Sequence, residues 1–341
     1  MKKTLIAVLA LAAAAACNKA EVVEQNPTNA IAFENVFVDN AVKSVVDPSY
    51  KDGNMFTDFA VYGFVEGATL FNGNTVSQNI TNNDLTNSTW KYEGTQYWIA
   101  GANYNFCAIA PKTNGGWTSV TSAQNTTDYT VNTSFSFTNN GVTDLLYADS
   151  GKKMGAVSGN DVVEFTFRHL LSKVKFSFKN GYNASNATIK VSNVKITNAH
   201  KTGDVDLTAA ATTWTNLQSS LELDFGSAVN DEDNVADAYA YNTTLESYNE
   251  LFLIPSATYS YTITFHVDLL VNGTSIGEGY NHEVTVEFAP EAGHAYDINA
   301  EITASNIDPE HAQEPIEFTV AALPGWGTAS DVNATVNNKN N

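Results

Sequence analysis

Alternation of apolar and polar residues dominates this chain and restricts its fold more than any other feature. Tyr259, Tyr261, Ile263, Phe265 and Val267 alternate with Ser260, Thr262, Thr264 and His266. Val284, Val286 and Phe288 alternate with Thr285 and Glu287. Tyr296, Ile298, Ala300 and Ile302 alternate with Asp297, Asn299 and Glu301, and Val163, Phe165 and Phe167 with Glu164, Thr166 and Arg168. A period of two gives each strand one face for a core and one for water. Such strands bury themselves by packing sheet against sheet. The phase slips where Ile189 and Val191 give way to Val194 and Ile196, which predicts a bulge near Asn193. Val271-Asn272-Gly273-Thr274 predicts a tight hairpin turn, and clusters such as Phe71-Asn72-Gly73-Asn74 predict breaks between strands. Helical patterning is limited to a weak signal over 217–223. The expected fold class is all-β, an antiparallel β-sandwich repeated as two domains in tandem.

A length of 341 residues suffices for two such domains, and 43% hydrophobic against 16% charged residues rules out a wholly disordered chain. The Gly- and Ser-bearing stretch 149–160 fits the boundary between an N-terminal sandwich, 44–158, and a C-terminal one, 159–327. The tail 328–341, rich in Asn, Thr and Ala, is expected to be mobile.

The first residues read as a processing signal. Lys2 and Lys3 precede an apolar run, Leu5 to Ala16, too short to cross a bilayer. The run ends on Ala14-Ala15-Ala16-Cys17, which resembles a bacterial lipobox. Residues 1–16 are then a signal peptide, and Cys17 becomes the acylated first residue of the mature chain. The other reading is a plain secretory signal cleaved nearby, with Cys17 incidental. Cys107 alone remains for pairing, so no internal disulfide is expected, and Cys107 reads as a buried apolar side chain.

Chemistry is sparse. Acidic residues outnumber basic ones 37 to 17, a formal charge of -20, and Arg168 is the single arginine. That balance excludes nucleic acid as a partner and electrostatic docking on anionic lipid. There is no H-E-x-x-H, G-x-S-x-G, C-x-x-C or phosphate-binding glycine loop. His169, His200, His266, His282, His294 and His311 show no metal-ligand spacing, and His266 reads as an exposed strand residue. Asp231-Glu232-Asp233 lacks the glycine-punctuated pattern of a calcium loop and reads as solvated. No cofactor, metal or catalytic residue is called for. Trp90, Tyr92, Tyr97 and Trp98 cluster in one segment. They read as packing for the first sandwich or, in a second reading, as the sugar platform of a monomeric surface glycan-binding lipoprotein.

Several segments, in order along the chain, resemble the Bacteroidales fimbrillins, subunits of type V pili. They are Trp98 with Tyr104-x-Phe106-x-Ala108-x-Ala110-Pro111, Asp144-Leu145-Leu146-Tyr147-Ala148, and Phe165-x-Phe167-x-His169-x-Leu171-Ser172-Lys173-Val174 followed by Lys175-Phe176-Ser177-Phe178. Phe252-Leu253-Ile254-Pro255, Gly293-x-x-Tyr296, and Pro315-Ile316-x-Phe318-x-Val320 with Trp326 complete the set.

The resemblance implies transthyretin-like sandwiches and assembly into a cell-surface adhesive fimbrium. Such subunits reach the outer membrane as lipoproteins, anchored here through acylated Cys17. A protease then removes an N-terminal segment, here 17–43, together with the first strand, carried by Ile31, Phe33, Val36 and Val38. The vacated groove takes a strand from the C-terminal region of an identical or related subunit. That donor is Ile316, Phe318, Val320 and Leu323, or the tail with Val332, Ala334 and Val336. The same Ile316 run also fits the last strand of its own second sandwich. A head-to-tail contact of this kind does not close, so it propagates. A host or bacterial surface receptor is the further partner implied. One departure stands out. The family is cut after an arginine, whereas here the basic residue is Lys43 before Ser44, with Lys51 as a second choice. Either a lysine-tolerant protease acts, or the strand stays and the protein is a terminal or anchoring subunit.

Overall fold

The computed structural model describes residues 29–38, 56–81, 84–155, 162–208, 211–307, 316–323 and 335–338. They form three sheets. Sheet I runs in the order β1 (Ala32–Val38), β10 (Val162–His169), β8 (Leu146–Asp149), β5 (Asn103–Ala110), β2 (Asp58–Val65), β3 (Ala68–Thr81) and β4 (Asp84–Tyr92), with β9 (Lys153–Met154) also on β5. Sheet II runs β14 (Ala228–Val229), β16 (Thr244–Ser247), β11 (Ser172–Asn180), β21 (Ala295–Ile302), β22 (Phe318–Leu323), with β17 (Leu251–Leu253) on β11. Sheet III runs β23 (Thr335–Asn338), β20 (Tyr280–Phe288), β18 (Tyr259–Val271), β12 (Ala187–Leu207), β7 (Val131–Thr138), β6 (Trp117–Gln124). To it are added β13 (Thr212–Gly226) and β15 (Tyr239–Ala240) on β12, and β19 (Thr274–Ser275) on β18.

The alternating runs are strands as expected, each with its apolar set inward. Phe176 and Phe178 of β11, Ile298 and Ala300 of β21, and Phe318 and Val320 of β22 pack on Ile189 and Val191 of β12, Ile263, Phe265 and Val267 of β18, and Val284 and Val286 of β20. That sandwich of sheets II and III is the first of three cores. The second lies inside sheet I, which curls until its edge strands meet. There the Tyr92 hydroxyl of β4 donates to the carbonyl of Ile31, just before β1, at 2.7 Å. The third lies on the other face of sheet I, where Ala60, Tyr62, Cys107, Ile109 and Tyr147 meet Val131, Phe135 and Phe137 of β7 and Val205 and Leu207 of β12. Covered on both sides, β2 and β5 are buried along nearly their whole length and so lack the period-two signature.

The chain passes between its halves repeatedly. Strand β10 follows the 149–160 stretch yet hydrogen-bonds within sheet I, and the far end of β12 pairs with β7 from Thr202 to Leu207. The third core also takes Leu170, Leu171, Phe252, Ile254 and Ala295.

The bulge falls where expected: β12–β18 pairing shifts between Ser192 and Lys195, with Asn193 at φ 54°. So does the hairpin, where Val271 pairs with Thr274 across Asn272 and Gly273, both at positive φ as a two-residue turn requires. Other expectations need correction. Residues 217–223 lie in β13, whose neighbour β12 supplies the backbone partners that override a weak helical pattern. The Phe71-Asn72-Gly73-Asn74 cluster does not end a strand. Val61 pairs with Asn74 and Tyr62 with Asn72, so Gly73 is a bulge within β3. Two pairings, β1 with β10 and β11 with β21, are parallel in an otherwise antiparallel arrangement. Within the stretch read as a mobile tail, Thr335–Asn338 pair with β20.

Candidate functional site

The residues expected to form the removable strand occupy one edge of sheet I. Ile31 and Phe33 are 1% exposed and Val36 8%, with Val38 half-buried against the same core. The Phe33 ring sits among five others: Phe59 (6.0 Å between centroids), Phe71 (5.8 Å), Tyr92 (5.5 Å), Phe106 (6.2 Å) and Phe165 (5.9 Å, near-parallel). Gly63 makes that socket, because a Cβ there would lie 2.7 Å from both the Phe71 and Phe106 rings.

Backbone contacts hold the strand's entry. Ile31 N–H donates to the Gln96 carbonyl (2.8 Å) and Trp98 N–H to that of Asn29 (3.0 Å). The Asn29 amide donates to the Trp98 carbonyl at 2.8 Å, and Gln96 N–H reaches the Tyr92 hydroxyl at 3.2 Å. Among the described residues β1 pairs with β10 alone, and the pairing is interrupted between Glu34 and Phe37. Among the described residues the strand is therefore a plug with a single sheet neighbour, seated in the Phe33 socket.

The aromatic cluster serves this plug. Trp98 is 4% exposed and packs on Tyr104 and Phe106. Trp90 lies half-buried against Phe56 and Phe59, and Tyr92 binds the Ile31 carbonyl. Trp98 therefore offers no face to solvent, and Trp90 and Tyr92 pack against the core. The cluster was legible in the sequence; its clamp on the first strand was not, since the partner atoms are backbone.

At the other end, Ile316, Phe318 and Val320 are 2–3% exposed and Leu323 is half-buried. Among the described residues their strand, β22, is the edge of sheet II and pairs only with β21. Phe318 lies 6.4 Å from Phe176, 6.1 Å from Phe178 and 5.8 Å from Phe265. In this subunit the segment fills its own sandwich, and the removable and donor candidates thus occupy edges of two different sheets. Val336 of the alternative donor pairs with Val286. Cys17, Lys43, Ser44, Lys51, Val332 and Ala334 lie outside the described residues.

Four of the six segments that carried the family resemblance, those around Asp144, His169, Phe252 and Gly293, meet at one joint. His169 Nδ1 is 2.6 Å from Asp144 Oδ2, both side chains buried. Leu170 N–H donates to the Leu145 carbonyl (2.8 Å), Gly293 N–H to that of Leu171 (2.9 Å) and Lys173 N–H to that of His294 (2.9 Å). The Ser172 hydroxyl donates to the Glu291 carbonyl at 2.6 Å, and the Asn139 amide to that of Phe252 at 2.9 Å. Motifs far apart in sequence thus tie the three sheets together.

Reactive chemistry is scarce among the described residues. No cluster of His, Cys, Asp or Glu there could hold a metal. Cys107 is fully buried, and burial pushes its thiol up to about 11, which keeps it protonated and inert at neutral pH. His266 is half-buried and bonded to Asn281 and Asp268, where the sequence reading had it exposed. The lone arginine, Arg168, stacks at 5.5 Å over the Tyr147 ring. No described helix is long and apolar enough to cross a membrane.

Comparison with known proteins agrees with this architecture. A fimbrial protein from Bacteroides vulgatus shares the fold at a TM-score of 0.58 and 14% identity, over 88% of this chain and 100% of its own. The fimbrial anchor protein Mfa2 from Porphyromonas gingivalis aligns at 11% identity and a TM-score of 0.38, over 87% of this chain and 99% of its own. A search among curated proteins gave no match. The sequence profile of fimbrillin-like proteins matches residues 46–322, a span that holds the joint and most of the three cores but begins after the first strand. By that match this chain belongs to the fimbrillin-like family.

Proposed function

We propose that this chain is a structural pilus subunit serving cell adhesion, exported as an outer-membrane lipoprotein through Cys17 and polymerised when a protease removes its first strand. The observation that carries the reading is the seating of β1. Its loss would open a groove floored by Phe59, Phe71, Phe106 and Phe165 and lined on one side by the unpaired backbone edge of β10. A groove that is apolar within and hydrogen-bonding along its rim is satisfied by another strand. The incoming strand is β22 of the next subunit, an edge strand with its own buried apolar row. Fimbrial proteins among the structural relatives are in keeping with this role. The chain acts by assembly and has no enzymatic step of its own. Its partners are further pilus subunits, outer-membrane lipid through Cys17, and a surface receptor.

Cleavage falls after Lys43, the basic residue that follows the first strand. Replacing it tests the reading directly. Lys43→Gln in producing cells should abolish the ladder of polymers that survives mild detergent while leaving the lipidated monomer at normal abundance. An undiminished ladder, with Lys51 also replaced, contradicts cleavage-triggered exchange.

A further inference from the structure

With 37 acidic residues to 17 basic ones, a cation in this chain has carboxylates to choose from. Lys173 sits 3.0 Å from Glu250, Lys179 3.2 Å from Glu301 and Lys195 2.7 Å from Glu222. Arg168 and Lys152 depart from that pattern. Among the described residues neither side chain makes an ion pair or a hydrogen bond. Each lies over a tyrosine ring instead, Arg168 at 5.5 Å from Tyr147 and Lys152 at 4.4 Å from Tyr129. Both line one cleft of about 400 Å³ beside the third core, within the size range of small-molecule sites.

The carboxylates of this cleft, unlike its cations, are already bonded. Asp149 Oδ1 accepts the Gly151 N–H at 2.6 Å, and Asp128 Oδ1 accepts the N–H and hydroxyl of Thr130 at 3.1 and 2.8 Å. Tyr129 is held in place. Its hydroxyl donates to Glu66 at 3.2 Å, its carbonyl accepts the Asn105 amide at 3.0 Å, and its φ is 63°. A bulky residue rarely adopts that left-handed conformation, and it persists only where the surroundings fix it. Its ring is half-buried.

Three features choose among anionic ligands. Strands β5, β8 and β10, which contribute to the cleft, each have sheet neighbours on both sides, so an extended peptide finds no backbone edge there. The two aspartates repel a phosphate dianion more than a single carboxylate. Thr130, Thr166 and Thr208, together with the aspartate oxygens, suit a ligand rich in hydroxyls.

We propose that this cleft binds a carboxylate-bearing sugar, of the uronic or sialic acid class, with Arg168 gripping the carboxylate. A guanidinium stacked on a ring presents paired N–H donors that match the two carboxylate oxygens. Lys152 adds a second positive charge, and Tyr129 offers an apolar face to the C–H side of the sugar ring. Binding here is separate from assembly and stands whether or not the chain polymerises.

Ligand-observed NMR titration of the full-length chain tests the site. The probes are glucuronic acid, N-acetylneuraminic acid, glucose, inorganic phosphate and a short uncharged peptide with a free C-terminus. At least one acid sugar should bind about tenfold more tightly than every other class of probe, and the tighter of the two tells uronic from sialic acid. Arg168→Gln should weaken that binding about tenfold, and Arg168→Lys, which keeps the charge without the paired donors, should recover part of it. Arg168 is exposed on the polar face of β10, so an unchanged melting midpoint is expected. Lys152→Gln, at an exposed loop position, is an independent variant and should weaken binding about threefold. Glucose bound as tightly as the acids overturns the role of the carboxylate. Phosphate or the peptide bound as tightly overturns the sugar. No binding by any probe, or acid binding undiminished in both Gln variants, overturns the site.

Discussion

Phe33 shows how much one side chain can decide. It is almost wholly buried and touches rings from β2, β3, β4, β5 and β10, so it closes the core inside sheet I. Phe33→Ala in the uncleaved chain should cost about 3–5 kcal/mol, the range for emptying a large aromatic site that cannot collapse. The loss would be read as a lower urea midpoint with an unchanged slope. A change below about 1 kcal/mol would mean that the strand is not anchored there. At this scale the sequence was informative about residue type and poor about partners. Ile31, Phe33, Val36 and Val38 were identifiable as an apolar row, and Cys107 as a buried thiol. The Gly63 clearance and the Tyr92 grip on a carbonyl depend on atoms brought together from distant segments, which local patterning does not encode.

Among the elements, edge strands carry the account, and β22 bears most directly on it. Its apolar row packs within its own subunit, with Phe318 among Phe176, Phe178 and Phe265. Phe318→Asp should therefore lower the stability of the unassembled monomer by several kcal/mol, since an unpaired charge would enter an apolar nest. Polymer should be lost with it. A fully stable F318D monomer that still fails to assemble would show that β22 contributes nothing to its own sandwich. Half-buried strands such as β10, β18 and β20 were legible because water on one face imposes alternation. Strands β2 and β5, covered on both faces, offered no alternation to read. Parallel pairing of β1 with β10 and of β11 with β21 was hidden for another reason: a strand's pattern fixes its faces but not its neighbours.

For the whole molecule, the three cores are linked through one joint, where His169 meets Asp144 and the 170–173 turn meets 291–294. Four of the six segments that carried the resemblance meet there, so part of what the sequence shared with the family is the joint that holds the sheets together. Net charge of -20 and a lone arginine first served to exclude nucleic acid. They also leave lysine as the residue available for maturation between the signal and the first sandwich. The central claim is that an assembled subunit has lost β1, and the first residue of the chain in the filament tests it most directly. Filaments sheared from producing cells and sequenced from the N-terminus should begin at Ser44. Filament subunits that begin at acylated Cys17, with residues 31–38 still present, would contradict the account.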